Sequence, residues 1–297
     1  MNWDLRAASA GDVPALQQAE CRARGLTPAE HRTAEHLAFV LSQDGGASRV
    51  AVAGESVVGY CLCVKLGRLG FIGAIGVVPD ARGQGVGGAL LDECATLLAA
   101  QCEIVGVQCL VDEEAMLAQF LTHNFQLVEP QLVLAHDVQA NARTQDAESP
   151  RAPVPLEDLL GVEAHGRALA EHGLGCLCTY GREDDGGVTG LLAVELAPRR
   201  AGMRPGTAAI TAGCVQRDLG AVHLRHTLLA AAGIAREHSC STLFLALNGF
   251  YQRELRALLA HEWSLRQVSY RLIYAPHTAR YKQVLSLPQL DLSHWTL

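Results

Sequence analysis

Residues 77–88, Val-Val-Pro-Asp-Ala-Arg-Gly-Gln-Gly-Val-Gly-Gly, set the tightest constraint on what this chain can fold into. A strand-compatible apolar run precedes them, with Ala74, Ile75, Val77 and Val78. A helical spacing of apolar residues follows: Ala89, Leu90, Leu91, Cys94, Leu97 and Leu98. The segment reads as a strand, a glycine-rich turn and a helix N-terminus. Glycines leave the backbone N–H groups of such a turn unobstructed, and the helix dipole adds partial positive charge. That geometry suits a pyrophosphate, and Arg82 places a cation at its mouth.

Two other phosphate loops fit less well. Gly83, Gly85 and Gly88 spell Gly-x-Gly-x-x-Gly, with Glu103 downstream. A dinucleotide fingerprint leaves its strand directly into the first glycine, whereas Pro79–Arg82 intervene here. Glu103 also opens the next strand, where a ribose-binding acid closes it. A nucleotide P-loop is excluded because no Gly-Lys-Ser/Thr follows.

Val77, Pro79, Arg82, Gly83, Gly85 and Gly87 together resemble the acetyl-CoA motif of the GNAT acetyltransferase superfamily. The resemblance implies that the backbone of Val77 and Val78 holds a pantetheine arm. It implies that Arg82 and the N–H groups of Gly83, Gln84, Gly85, Val86, Gly87 and Gly88 hold the pyrophosphate. The expected element order over the first half, β-α-α-β-β-β-α-β-α-β, is also that of the superfamily. The fold class expected is α/β, an α+β mixed, mainly antiparallel sheet flanked by helices, present as two tandem GNAT-like domains.

Asp12 is placed to cap a helix running to about Arg24, which Gly25 ends. Thr27, Pro28 and Glu30 read as a capping box opening a second helix to about Leu41. The polar stretch from Asp137, with prolines at 150, 153 and 155, reads as a linker. The expected boundaries are a domain over 1–138 with the intact loop, a linker over 139–155, and a second domain over 156–297 with a C-terminal extension. Setting Thr227-Leu228-Leu229 on Ala89-Leu90-Leu91 superimposes the halves without gaps. Gly220, His223 and Arg225 then stand where Arg82, Gly85 and Gly87 stand, so the second half has lost the cofactor loop. The arrangement is similar to that of tandem-GNAT proteins such as mycothiol synthase, but here the N-terminal half is the intact one.

The superfamily's chemistry is direct attack of an amine on an acetyl thioester held beside it. Its Tyr-x-x-x-Gly-Phe segment is met here by Phe120 to Phe125. Phe120 takes the place of the Tyr that protonates the leaving thiolate, and Asn124 that of the Gly. Glu113 stands where an Asn is usual. Candidate catalytic groups are Glu113, Glu20 on the expected acceptor wall, and His123 near the turn. His165, His172, His223 and His226 fall in the degenerate half and read as structural.

Composition narrows the function classes. Residues 1–148 carry 9 Lys+Arg against 18 Asp+Glu, a net −9, and residues 149–297 carry 15 against 13, a net +2. An acidic first half argues against nucleic acid and mildly favours a cationic acceptor. No apolar run reaches the roughly 18 residues of a membrane span, and Met1–Asp4 does not open a secretory signal. The ten cysteines lie mostly in apolar runs, as core residues do. Cys61-x-Cys63 and Cys176-x-Cys178 are spaced more tightly than zinc ligands usually are, so no metal is expected. The reading is a cytoplasmic N-acetyltransferase that uses acetyl-CoA as co-substrate and acts on a small amine. The alternative is a non-catalytic acyl-CoA-binding sensor or scaffold.

Overall fold

A computed structural model describes residues 2–27, 31–139, 161–181, 188–196, 206–216, 220–285 and 289–291. The first half runs β1 (Asp4–Ala7), α1 (Val13–Arg24), α2 (Ala34–Ser42), β2 (Arg49–Ala53), β3 (Ser56–Leu66), β4 (Leu69–Val77), α3 (Val86–Ala99), β5 (Ile104–Leu110), α4 (Glu114–Thr122) and β6 (Phe125–Asp137). The second runs α5 (Val162–Glu171), β7 (Gly175–Gly181), β8 (Val188–Leu196), β9 (Thr207–Gln216), α6 (Gly220–Glu237), β10 (Thr242–Asn248), α7 (Gln252–Leu259), β11 (Trp263–Tyr274), α8 (Thr278–Leu285) and β12 (Gln289–Asp291). No helix among the described residues is long and apolar enough to cross a membrane.

Local chemistry sets the helix ends. Gly25, at φ 67°, closes α1 in the left-handed conformation that costs glycine least. Asp12 precedes α1 but does not cap it with its side chain. Its carboxylate instead accepts from the Arg6 guanidinium and from the Ser9 backbone N–H, both at 2.8 Å. Helix α2 starts later than expected, at Ala34, where Thr33 Oγ1 accepts from His36 N–H at 3.2 Å. A nearer cap displaced the one read at Thr27; Pro28 and Glu30 lie outside the described residues, as does most of the linker. The C-terminal extension contains α8 and β12, which the sequence pattern did not show.

The strands form one sheet in the order β1-β2-β3-β4-β5-β11-β6-β10-β9-β8-β7, with β12 added to β9. Among the described residues only β4–β5 and β9–β10 pair in parallel; the other pairs are antiparallel. The two expected sheets are therefore joined, and joined by exchange. β11, from the second half, lies between β5 and β6, and β6, from the first, lies between β11 and β10.

The internal repeat appears in the register. Leu69, Gly70 and Phe71 pair with Ile104, Val105 and Gly106. Thr207, Ala208 and Ala209 pair with Thr242, Leu243 and Phe244, the same positions in the second copy. Asn124 and Glu262, equivalent turn residues, both take positive φ, at 64° and 69°.

Two apolar clusters fill the space between sheet and helices, one centred on β3, β4 and α3, the other on β9, β10 and α6. Buried polar groups span the junction. Arg271 on β11 donates to Tyr281 Oη at 2.8 Å and lies 3.3 Å from Glu129 on β6. His36 on α2 lies 3.1 Å from Glu195 on β8, and Phe39 packs on His165 and His172.

Candidate active site

The parallel pairing of β4 with β5 ends at Ile72 and Val107, so the rest of each strand diverges. On its other side β4 stays paired with β3 up to Val77. Val78 N–H donates to Val58 O at 2.9 Å, so the antiparallel alternation turns the N–H and C=O of Val77 and Ile75 away from β3, into the opening. Among the described residues no strand pairs with this edge, and only the Val77 C=O is met there, by Arg82; a strand edge with N–H groups left over is a ready template for an extended ligand. Val77 ends the β3–β4 pairing at this edge. The N–H of Val78 is spent on β3.

The loop follows. Gly83 and Gly85 take φ of 73° and 80°, and a Cβ at either would meet nothing within 4 Å. Glycine is needed there for conformation, and the space beside it is open. Ala89 N–H donates to Gly85 O at 3.1 Å, so the N–H groups of Val86, Gly87 and Gly88 precede the helical ladder as the first-turn donors of α3. Gly87 and Gly88 serve a different need. A Cβ at Gly87 would lie 2.8 Å from Gln119 Nε2, and one at Gly88 would lie 2.8 Å from the His123 ring. These two glycines let α4 approach the first turn of α3.

Arg82 spans the opening. Its guanidinium donates to Val77 O at 3.1 Å and to Ala23 O at 2.6 Å, tying the end of α1 to the end of β4. Gln84 folds back, donating to Asp80 O at 2.9 Å. Glu20 is buried, and its carboxylate receives the Arg32 guanidinium and the Arg32 backbone N–H, the latter at 3.0 Å. Its charge is already matched by a cation. Glu113 is exposed just beyond β5. His123 lies over Gly88, with Nδ1 2.7 Å from Asp92, on the loop side of the cleft. Phe120 is buried edge-to-face on Phe125, ring centroids 5.8 Å apart.

The sequence reading did not single out Tyr60. This residue of β3 is 1% exposed, and its hydroxyl has no hydrogen-bond partner among the described residues. Such a group costs about 1–3 kcal/mol unless something pairs with it. Burial raises its pKa, while the charges of Arg24 and Arg32 act in the opposite sense. A Cβ at Gly76 would lie 2.6 Å from this hydroxyl, which explains the glycine opposite an aromatic residue in the β3–β4 register.

Among the described residues the second half shows no equivalent opening. β9 and β10 also part, after Ala209 and Phe244. But Cys214, Val215 and Gln216, the counterparts of Gly76, Val77 and Val78, pair with Asp291, Leu290 and Gln289 of β12. The edge that is free on β4 is covered on β9 by the chain itself. The histidines there have internal partners: His165 faces Thr211 Oγ1 at 3.0 Å, His223 faces Thr189 O at 3.4 Å and His172 faces Ala168 O at 2.9 Å. Burial lowers the pKa of His226.

The cysteines show one arrangement that sequence spacing did not reveal. Cys61 and Cys63 on β3 and Cys94 on α3, all buried, bring their sulfurs within 4.8 Å of one another. Burial holds the Cys63 thiol well up, and the Cys61 and Cys63 groups hydrogen-bonded to Cys94 pull that thiol down. Cys94 Sγ also lies 3.9 Å from Cys61 O.

Residues 13–125 match the Acetyltransferase (GNAT) family. No curated protein matches the chain by sequence. Among solved structures, a Pyrococcus horikoshii protein provisionally described as an acetyltransferase aligns with a TM-score of 0.62 at 10% identity, over 91% of this chain and 88% of its own. A GCN5-related N-acetyltransferase from Sphaerobacter thermophilus gives 0.55 at 14% identity, over 91% and 95%. A tandem GNAT protein from the clavulanic acid biosynthesis pathway gives 0.57 at 13% identity, over 92% and 98%. Residues 13–125 thus form a domain of the GNAT acetyltransferase family, and the chain as a whole has the fold of a tandem GNAT protein.

Proposed function

We propose that the first half of this acyltransferase-family chain moves acetyl from acetyl-CoA to a small amine, and that the second half serves as its scaffold. The observation that carries this reading is the contrast between the halves. Among the described residues no strand pairs with β4 beyond Ile72, beside an open glycine loop, whereas the matching β9 edge is covered by β12. The division at 1–138, 139–155 and 156–297 is kept as a division of the sequence, across which the last strands exchange.

Bound acetyl-CoA supplies a thioester, an acyl donor with a good leaving group. The chain positions it. The backbone of Ile75 and Val77 would hold the pantetheine arm, and the N–H groups of Gly83 to Gly88 would hold the pyrophosphate. Val77 N–H would polarise the carbonyl as negative charge develops on its oxygen. The amine nitrogen bonds to the carbonyl carbon, the carbon–sulfur bond breaks, and the thiolate carries away the electron pair. The ammonium proton leaves to Glu113 or to solvent. His123 is an alternative acceptor, with Asp92 fixing its Nδ1 side. Glu20, already paired with Arg32, acts here by holding the acceptor wall. The free thiols fit a reducing, cytoplasmic setting.

A second reading, an acyl-CoA-binding sensor without turnover, is favoured by Phe120 in the place of a proton donor. Calorimetry tests the shared part: one acetyl-CoA per chain, and none bound by Gly85→Glu, whose side chain would occupy the phosphate position. Two equal sites would overturn the assignment of the second half. Release of free CoA that depends on one amine selects the enzyme over the sensor.

A further inference from the structure

Two side chains beside the opening lack polar partners, and they lie on the same side of it. The Tyr60 hydroxyl stands against Gly76, between the two β4 residues whose backbones face the cleft. Arg24 is the last residue of α1 and is exposed. Its neighbours are paired, Arg22 with Asp80 and Arg32 with Glu20, while no ion pair or hydrogen bond engages Arg24 among the described residues. Its position follows from Arg82. One guanidinium reaches both Ala23 O and Val77 O, so the end of α1 stands at the lip of β4, and Arg24 is the next residue. Its charge, like that of Arg32, opposes the burial that raises the Tyr60 pKa.

On the far side, Asp112 and Glu113 follow directly on β5 and are exposed. The opening therefore has an unmatched cation and a buried hydroxyl at the β4 lip, and acids at the β5 lip. A plain amine satisfies only the acids. A molecule carrying both an ammonium and a carboxylate satisfies both lips, because guanidinium and phenol hydroxyl are both donors to carboxylate oxygen.

We propose that Tyr60 and Arg24 form a carboxylate-anchoring subsite, and that the acceptor is an amine bearing a carboxylate, of the free amino-acid class. This rests on the acetyl-transfer reading of the same cleft.

The test compares matched pairs: phenylalanine with phenethylamine, and leucine with 3-methylbutylamine. The carboxylate member should have the higher kcat/KM. Arg24→Ala should lower that value about tenfold to a hundredfold, mostly through KM, as for a lost hydrogen bond to a charged group. The decarboxylated member should change by less than about twofold in the same variant, and Tyr60→Phe should act in the same direction as Arg24→Ala. Equal turnover of both members, or an Arg24→Ala variant unchanged on the carboxylate member, overturns the subsite. Acetyl-CoA calorimetry on each variant separates the two levels. If acetyl-CoA binds and the pairs do not discriminate, the subsite alone fails; if acetyl-CoA does not bind, both readings fail. If acetyl-CoA binds but no pair turns over, phenylalanine and leucine are titrated into CoA-loaded protein. Binding that Arg24→Ala removes sustains the subsite, and absence of binding overturns it.

Discussion

Phe120 shows how much one residue can decide. The resemblance of Phe120–Phe125 to the family's segment sets it where a proton donor is expected, and its ring packs on Phe125. Loss of a general acid costs roughly 10²–10⁴ in rate where the leaving group needs one. CoA thiolate needs it less. Phe120→Tyr should therefore raise kcat or shift its pH optimum, with acetyl-CoA affinity within about tenfold, because the added hydroxyl acts mainly in the transition state. Steady-state kinetics with an active acceptor reads this, and an unchanged kcat and pH profile would place Phe120 in the core only. At this scale the loop was legible because glycines with open space beside them mark a backbone requirement. Tyr60 was not, because its meaning depends on Gly76, sixteen residues away and opposite it only once β3 and β4 are in register. The pairing of Glu20 with Arg32 was not legible either, because the two lie twelve residues apart in sequence.

Among the elements, the entry to α1 carries a distinct acid response. Hydrogen bonding from Arg6, aided by Ser9, holds the Asp12 carboxyl down to about 2. A carboxyl depressed on folding contributes stability that is complete above its unfolded value, near 4, and is lost as pH falls toward 2. Arg6→Ala should shift the acid limb of the unfolding curve upward within that window and leave stability above pH 5 changed only by the lost contact. A pH series of thermal melts measures it, and an acid limb identical to that of the native chain would show that Arg6 is not what holds Asp12 ionised. Strands and helices with strong periodicity were read close to their observed limits. The start of α2 was not: the cap was read at Thr27, six residues before Thr33, whose hydroxyl accepts from the first turn. β12 is three residues long and carries no periodicity at all; only its pairing with β9 defines it.

At the scale of the molecule, the repeat was legible because α3 and α6 sit in equivalent connections of equal length, which fixed the alignment of β4, α3 and β5 on β9, α6 and β10. The exchange of β6 and β11 was not, since identical strand order is compatible with each half keeping its own last strand. Its first effect is on dissection. A fragment ending at residue 138 has β5 and β6 but lacks the strand that joins them, so it should not fold alone. Expressed by itself it should be insoluble or molten by near-UV circular dichroism, and co-expression with 139–297 should restore soluble protein. A well-folded, monomeric fragment would contradict the exchanged order. Its second effect falls during synthesis. The ribosome completes β6 well before it begins β11, and at about 5–20 residues per second the delay between them is on the order of ten seconds or more. Throughout that time β5 and β6 lack the strand that lies between them. The halves of this chain are thus bound by timing as well as by contact: the first waits, sticky and incomplete, for the last strand of the second.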